Sequence, residues 1–194
     1  MEINALDAGK FQKINVQDVK KQLVSKIKYM NFSKNIKKKI FSKETITSLF
    51  LILFIFALDR ITKIAIIKHQ TNNQGIVVND YLNFELIWNT GISFGLFSQN
   101  ANMYYHLTSF LVFTVIVFLI YLIIKAFFIE KILYSLILGG ALGNLYDRLI
   151  YFAVPDFIDL HINDFHWFTF NIADIFITIG IILIIIKDLI LKKK

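Results

Sequence analysis

Six aspartate and arginine residues, Asp147, Arg148, Asp156, Asp159, Asp164 and Asp174, lie in the stretch from Gly139 to Asp174, between two long apolar runs. Hydrocarbon tolerates such groups poorly, so charged residues beside apolar runs are candidates for chemistry. Two aspartates in a partly dry site form a reagent. They share one proton, and their pKa values split. The ionised partner can activate water, and the protonated one can donate to a carbonyl. This chemistry needs neither a thiol nor a metal. The chain has no cysteine, which excludes disulfides, a thiolate nucleophile and cysteine-bound metal. Its four histidines, His69, His106, His161 and His166, lack the HExxH spacing, so no metal and no other cofactor is expected. Ser93 precedes no evident base. Lys63 follows Asp59 by four residues and reads as its ion-pair partner on one helix face.

Each remaining charge has a plainer role to set against chemistry. Asp147 stands beside Arg148, which suggests an ion pair or a helix-end contact. Asp159 and Asp164 read as solvated loop charges, or as acceptors for His161 and His166. Asp174 opens an apolar run, where a carboxylate would complement the helix dipole.

The elements that must position these groups are membrane helices. The 194 residues are 56% hydrophobic and only 18% charged, which indicates an α-helical polytopic membrane protein rather than a soluble domain. Apolar runs predict four spans, at about 46–67, 104–128, 132–149 and 172–190. Residues 68–101 are rich in β-formers around Val77-Val78 and Tyr81–Trp88. They predict a small sheet on the outer membrane face, with Trp88, Phe94 and Phe97 suited to the interface.

The net charge of +7 lies entirely at the start. Residues 1–44 hold 11 lysines against 4 acids, whereas residues 45–194 hold 10 basic and 10 acidic side chains. A basic tail before a span marks the cytoplasmic side rather than a nucleic-acid partner. The chain divides into a basic cytoplasmic tail, 1–44, and a four-helix membrane domain, 45–194. Val16, Val19, Leu23, Ile27 and Met30 recur at helical spacing in the tail, as in an amphipathic helix on anionic lipid or in a solvated tail. Lys125 to Lys131 would be a cytoplasmic link, and Lys192 to Lys194 would hold the end inside. Both termini are then cytoplasmic.

This topology is tested by where it brings the polar groups. The third span runs outward and carries Asn144 and Asp147 near its outer end. The fourth runs inward and begins with Asn171 and Asp174. Asp156 lies in the connection, and Asp59 falls about 20 Å along the first span, in its outer half. Four segments bring their carboxylates to one level.

Five motifs then occur in order over about residues 55–180. Asp59-Arg60-Ile61-Thr62-Lys63 resembles D-x-x-T-K. Asn89-Thr90-Gly91-Ile92-Ser93-Phe94-Gly95 resembles N-x-G-x-[AS]-F-G. Gly139 to Arg148 is similar to G-G-A-x-G-N-x-x-D-R, Val154 to Phe157 to V-x-D-F, and Phe170 to Asp174 to F-N-x-A-D. The set resembles the bacterial lipoprotein signal peptidases (signal peptidase II), an aspartic intramembrane peptidase family. The resemblance implies an endopeptidase of the bacterial cytoplasmic membrane that removes the signal peptide from diacylglyceryl-modified prolipoproteins, just before the lipidated cysteine. It implies Asp156 and Asp174 as the catalytic pair, and Asn89, Gly140, Asn144, Asp147, Arg148 and Asn171 as substrate-binding or supporting residues. Asp59 and Lys63 become a structural pair, and the sheet a cradle for substrate. The partners are then a lipidated prolipoprotein and membrane lipid, with the enzyme a monomer and its site near the outer face. Two departures stand out: Pro155 replaces a hydrophobic residue before Asp156, and Phe152 replaces a common glycine. The rival readings are a small proton-coupled transporter using Asp59, Asp147 and Asp174 as a relay, and a non-catalytic assembly factor.

Overall fold

Apolar residues run almost unbroken from Ile46 to Leu58, and the helix they form extends beyond the apolar run at both ends. The computed structural model describes residues 17, 20–30, 42–70, 75–90, 101–163 and 165–191. Helix α1 covers Lys43–Gln70. Ser42 caps it, its Oγ accepting from the Thr45 backbone at 3.2 Å. Helix α2 is Ala101–Lys125, α3 is Phe128–Tyr151 and α4 is Ile172–Leu191. The link expected at 125–131 is shorter, because Glu130 reaches back to the Phe127 backbone at 3.2 Å and starts α3 early. Two of the helices, α2 over Tyr105–Lys125 and α3, are long and apolar enough to cross a bilayer. α1 carries Asp59, Arg60 and Lys63, and α4 carries Asp174, Lys187 and Asp188.

α3 is the hub and packs against all three other helices. Its small residues permit this. A Cβ on Gly140 would stand 2.5 Å from the Ala173 carbonyl oxygen of α4, and one on Gly139 would stand 2.9 Å from Ile55 Cβ of α1. The core lies between these helices, around Ile52, Ile116, Leu119, Ile137, Leu138 and Ala141.

Four strands form one antiparallel sheet in the order β1-β2-β3-β4: Ile76–Asn79, Leu82–Asn89, Val154–Ile162 and Phe165–Phe170. The first pair lies within the sheet expected at 68–101. The second pair corrects that expectation, because the connection between α3 and α4 supplies half the sheet. Phe157, Ile158, Leu160 and Ile162 alternate with polar residues loosely enough to pass for a loop. Trp88 packs on Tyr151 at 5.5 Å, which seats the sheet against α3, and Phe84 packs on Phe157 at 6.3 Å between β2 and β3.

Both sequence departures are accommodated. Phe152 caps α3 in the left-handed region, with φ of 56° and ψ of 18°. Glycine adopts that conformation without strain, which explains why it is common there. Pro155 is second in β3, opposite Trp88 of β2 and before pairing with β4 begins at Ile158, so its missing N–H falls near the end of the strand where only one neighbour is paired.

Residues 1–41 form a separate unit, of which residues 20–30 are helical and exposed throughout. Val16 and Val19 of the expected amphipathic stripe lie outside the described residues, as do Gly91 to Gly95, Phe97, Asp164 and the terminal lysines.

A bulge in β2 between Phe84 and Ile87 frees backbone groups. Gln70, the last residue of α1, fills the gap: its Nε2 donates to Phe84 O at 2.9 Å, and its Oε1 accepts from Leu86 N at 2.6 Å. Gln70→Ala strands both groups. The expected loss is about 1–2 kcal/mol, read as a lower midpoint in thermal unfolding of the detergent-solubilised protein.

Candidate active site

A lysine ammonium buried in an apolar bundle needs every donor satisfied. Lys63 is fully buried, and its Nζ contacts Asp59 Oδ2 at 2.9 Å, Asn144 Oδ1 at 3.0 Å and Asp147 Oδ2 at 2.7 Å. The pairing of Asp59 with Lys63 is present, but Asp147 joins it. Asp147 takes its charge partners from α1 rather than from its neighbour Arg148. Arg60 Nη2 lies 2.5 Å from Asp147 Oδ1, as an ion pair without hydrogen-bond alignment, and its guanidinium covers the Tyr146 ring at 4.9 Å. Two acids and two bases form a neutral quartet. Gly143 lies against Asp59, where any side chain would collide with the carboxylate.

The quartet extends to the candidate pair through two asparagines. Asn144 Oδ1 also accepts from Asn171 Nδ2 at 3.2 Å, and Asn144 Nδ2 donates to Asp174 Oδ1 at 2.8 Å. Asn171 is the N-cap of α4. Its backbone N–H donates to Asp174 Oδ2 at 3.1 Å, and its Oδ1 accepts from Asp174 N at 3.1 Å. This reciprocal capping box explains the spacing of Asn171 and Asp174 in physical terms. The same Asn171 Nδ2 donates to Asp156 Oδ1 at 2.6 Å, and Asn89 Nδ2 donates to Asp156 Oδ2 at 2.9 Å. Asn171 therefore contacts both carboxylates. Ala173 N, one residue before Asp174, donates to Asp59 Oδ1 at 3.1 Å and ties α4 to the quartet.

Asp156 is almost fully buried on β3. Burial pushes its carboxyl up to about 6, and the Asp174 charge adds to this. The donors from Asn89 and Asn171 favour the ionised form and hold the rise in check.

Eight of the ten sequence candidates thus form one connected network: Asp59, Lys63, Asn89, Asn144, Asp147, Asp156, Asn171 and Asp174. Asn89 reaches it from β2. Gly140 makes no polar side-chain contact; it lets the first turn of α4 approach α3. Arg148 stands apart, with Nε and Nη1 buried and unpartnered among the described residues, while Tyr105 donates to its carbonyl. Asp159 is not solvated. It is buried on β3 and accepts from His166 at 2.7 Å. Arg60 and Gln70 were missed as partners, because an interhelical or helix-to-strand contact leaves no local spacing.

The family described as Signal peptidase (SPase) II matches residues 51–190. The chain belongs to the signal peptidase II family. This peptidase is 44% identical over 158 residues to a lipoprotein signal peptidase of Pelagibacter ubique (strain HTCC1062), covering 80% of this chain and 95% of that one. It is 41% identical over 150 residues to one of Anaplasma phagocytophilum (strain HZ), covering 76% and 94%. A solved bacterial membrane enzyme superposes with a TM-score of 0.62 at 32% identity, over 73% of this chain and 91% of that one. Membership of a peptidase family does not favour the transporter reading.

Removing one member of a buried ion cluster strands the others. Lys63→Met leaves Asp59 and Asp147 facing Arg60 alone. The expected cost is about 3–5 kcal/mol, measured by thermal unfolding in detergent. An unchanged midpoint would show that the quartet does not hold the helices together.

Proposed function

We propose that this peptidase cuts the signal peptide from diacylglyceryl-modified prolipoproteins, just before the lipidated cysteine, with Asp156 and Asp174 as its catalytic pair. The observation that carries the reading is the shared contact of both carboxylates with Asn171, at 2.6 Å to Asp156 and 3.1 Å to Asp174. Asp174 is the base. Asn144 and the Asn171 backbone N–H donate to its carboxylate at the N-terminus of α4, which favours charge there. Asp156 carries the proton, and a substrate covering the site removes more water and strengthens its hold on it.

In the reaction Asp174 takes a proton from water, whose oxygen bonds to the scissile carbonyl carbon. Asp156 donates its proton to the carbonyl oxygen. The tetrahedral intermediate collapses: the proton on Asp174 goes to the departing amine, the C–N bond breaks, and Asp156 recovers its proton from the oxygen. Asn89 orients Asp156. Arg148, with two guanidinium nitrogens unpartnered among the described residues, is the donor for a substrate carbonyl.

All four long helices span the bacterial inner membrane in this reading, with both termini cytoplasmic and the carboxylates near the outer face, where water is available. The charged quartet of α1 faces inward onto α3, so it does not bar that helix from lipid. A groove of about 300 Å³ beside Asp174, lined by Phe168, Phe170, Ile175, Thr178 and Ile179, suits the diacylglyceryl chains. One chain holds both carboxylates, so a monomer suffices. The basic residues that precede α1 bind anionic lipid.

The test incubates purified protein with a lipidated prolipoprotein and follows release of the signal peptide. Asp156→Asn and Asp174→Asn should each lose about a thousandfold in rate or more, while still unfolding cooperatively as folded proteins. Wild-type cleavage by either variant would remove that residue from the chemistry. Deletion of residues 1–40 should leave cleavage in detergent intact.

The pH profile tests the proton assignment. Raising pH removes the Asp156 proton, so activity falls through the alkaline limb. Asn89 stabilises the ionised form, so Asn89→Ala raises the pKa of Asp156. The alkaline limb of kcat/KM should move to higher pH in this variant, and a shift to lower pH would reverse the assignment.

A further inference from the structure

The β3–β4 hairpin carries a second cluster of reactive side chains that the peptidase chemistry does not use. Asp159 and His161 alternate on one face of β3, and His166 of β4 is the cross-strand partner of His161. The three residues offer ligand atoms that all lie within 4.8 Å of one another. Both imidazoles aim Nδ1 at the same carboxylate oxygen, Asp159 Oδ2: His166 at 2.7 Å and His161 at 3.7 Å. The rings stack at 5.3 Å, with 25° between their planes. A bulge between Leu160 and His161 brings the two histidines into register.

A hydrogen bond from His166 to Asp159 would by itself pin the hairpin. It leaves the rest of the cluster unexplained. Asp159 is 2% exposed, yet its Oδ1 has no hydrogen-bond partner among the described residues. His161 Nδ1 is likewise buried and makes no hydrogen bond among the described residues, its 3.7 Å to Asp159 Oδ2 being too long for one. Asn83 is directly opposite Asp159 on β2, and its Oδ1 is a third buried acceptor with no partner. Unsatisfied groups are rare in a folded interior, and three converging on one face call for a ligand. The ligand must accept from nitrogen lone pairs and from carboxylate oxygen together. A cation does so. Two imidazoles and one carboxylate are the donors of a borderline metal such as zinc, whereas calcium and magnesium prefer oxygen alone.

We propose that Asp159, His161 and His166 form a zinc-class site on the outer sheet, separate from the catalytic pair. The ion replaces the proton between His166 Nδ1 and Asp159, and bonds to His161 Nδ1 as well. A water on its open position donates to Asn83 Oδ1. His166 has a side chain 55% exposed, which gives the ion its way in. Asp156 precedes the cluster on β3, and Asn171 follows the end of β4. The ion therefore clamps the hairpin that joins two residues of the active site, without touching either. The sequence hides this site, because its spacing is strand alternation plus a cross-strand partner rather than a helical HExxH.

The test uses the full chain without a histidine tag, in detergent. Titration with Zn²⁺ should show one equivalent bound, and a hundredfold excess over Kd should raise Tm by about 5–10 °C. His161→Ala combined with His166→Ala should bind none, whereas Asp156→Asn should still bind one equivalent. Cu²⁺ bound to the wild-type protein should show hyperfine coupling to two nitrogens in its electron paramagnetic resonance spectrum, which needs no variant to fold. No saturable binding by the wild type, undiminished binding by the double variant, loss of binding in Asp156→Asn, or a copper spectrum without nitrogen coupling would each overturn the proposal.

Discussion

The buried ammonium of Lys63 is the point on which the rest of the site depends. A lone charge in this interior would be prohibitively costly, so α1 must supply Asp59 and α3 must supply Asp147 and Asn144 around it. That requirement sets the rotation and depth of α1 against α3. Gly143 is the complement, since a side chain there would strike Asp59. The apolar packing of Ile52, Ile137 and Leu138 holds the helices together but is compatible with many registers. The ionic contacts select one.

From Lys63 the same network runs outward through Asn144 to Asn171, and Asn171 is where helix and sheet meet. It caps α4 and so places Asp174, and its amide reaches Asp156 on β3. Two carboxylates from different elements are positioned by one residue, Asp156 by its side-chain amide and Asp174 by its backbone N–H. This arrangement suits a peptidase that must expel water around a pair of acids while keeping each in a distinct environment. The sheet contributes more than a surface. β2 brings Asn89 to Asp156, and Gln70 of α1 fastens β2 at its bulge.

That polar groups from four segments meet was legible in the sequence, because the order and length of the apolar runs put them at matching ends. Asp59 with Lys63 was legible as an i,i+4 pair, and Asn171 with Asp174 as a helix start. The quartet was not. Asp147 was paired with Arg148 by adjacency, but successive helix residues face different ways, and the true partners come from α1. β3 and β4 resemble a loop in sequence, since their apolar residues alternate with Asp and His of the kind found in solvent. The clue was the alternation itself, which runs from Phe157 to Ile162 and ends at Asn163, whose φ of 50° makes it a hairpin turn. The histidine cluster was lost with those strands, because its spacing has meaning only once they pair.

The central claim is that two carboxylates share one proton, with Asp156 as its holder. Carbon-13 NMR of the protein labelled at aspartate carboxyls, with Asp156→Asn and Asp174→Asn for assignment, reads this directly without turnover. The account predicts that the Asp156 carboxyl carbon titrates near its raised value of about 6, and that its midpoint moves down when Asp174→Asn removes the neighbouring charge. Titration of Asp156 in the ordinary carboxylate range, unmoved by Asp174→Asn, would contradict it.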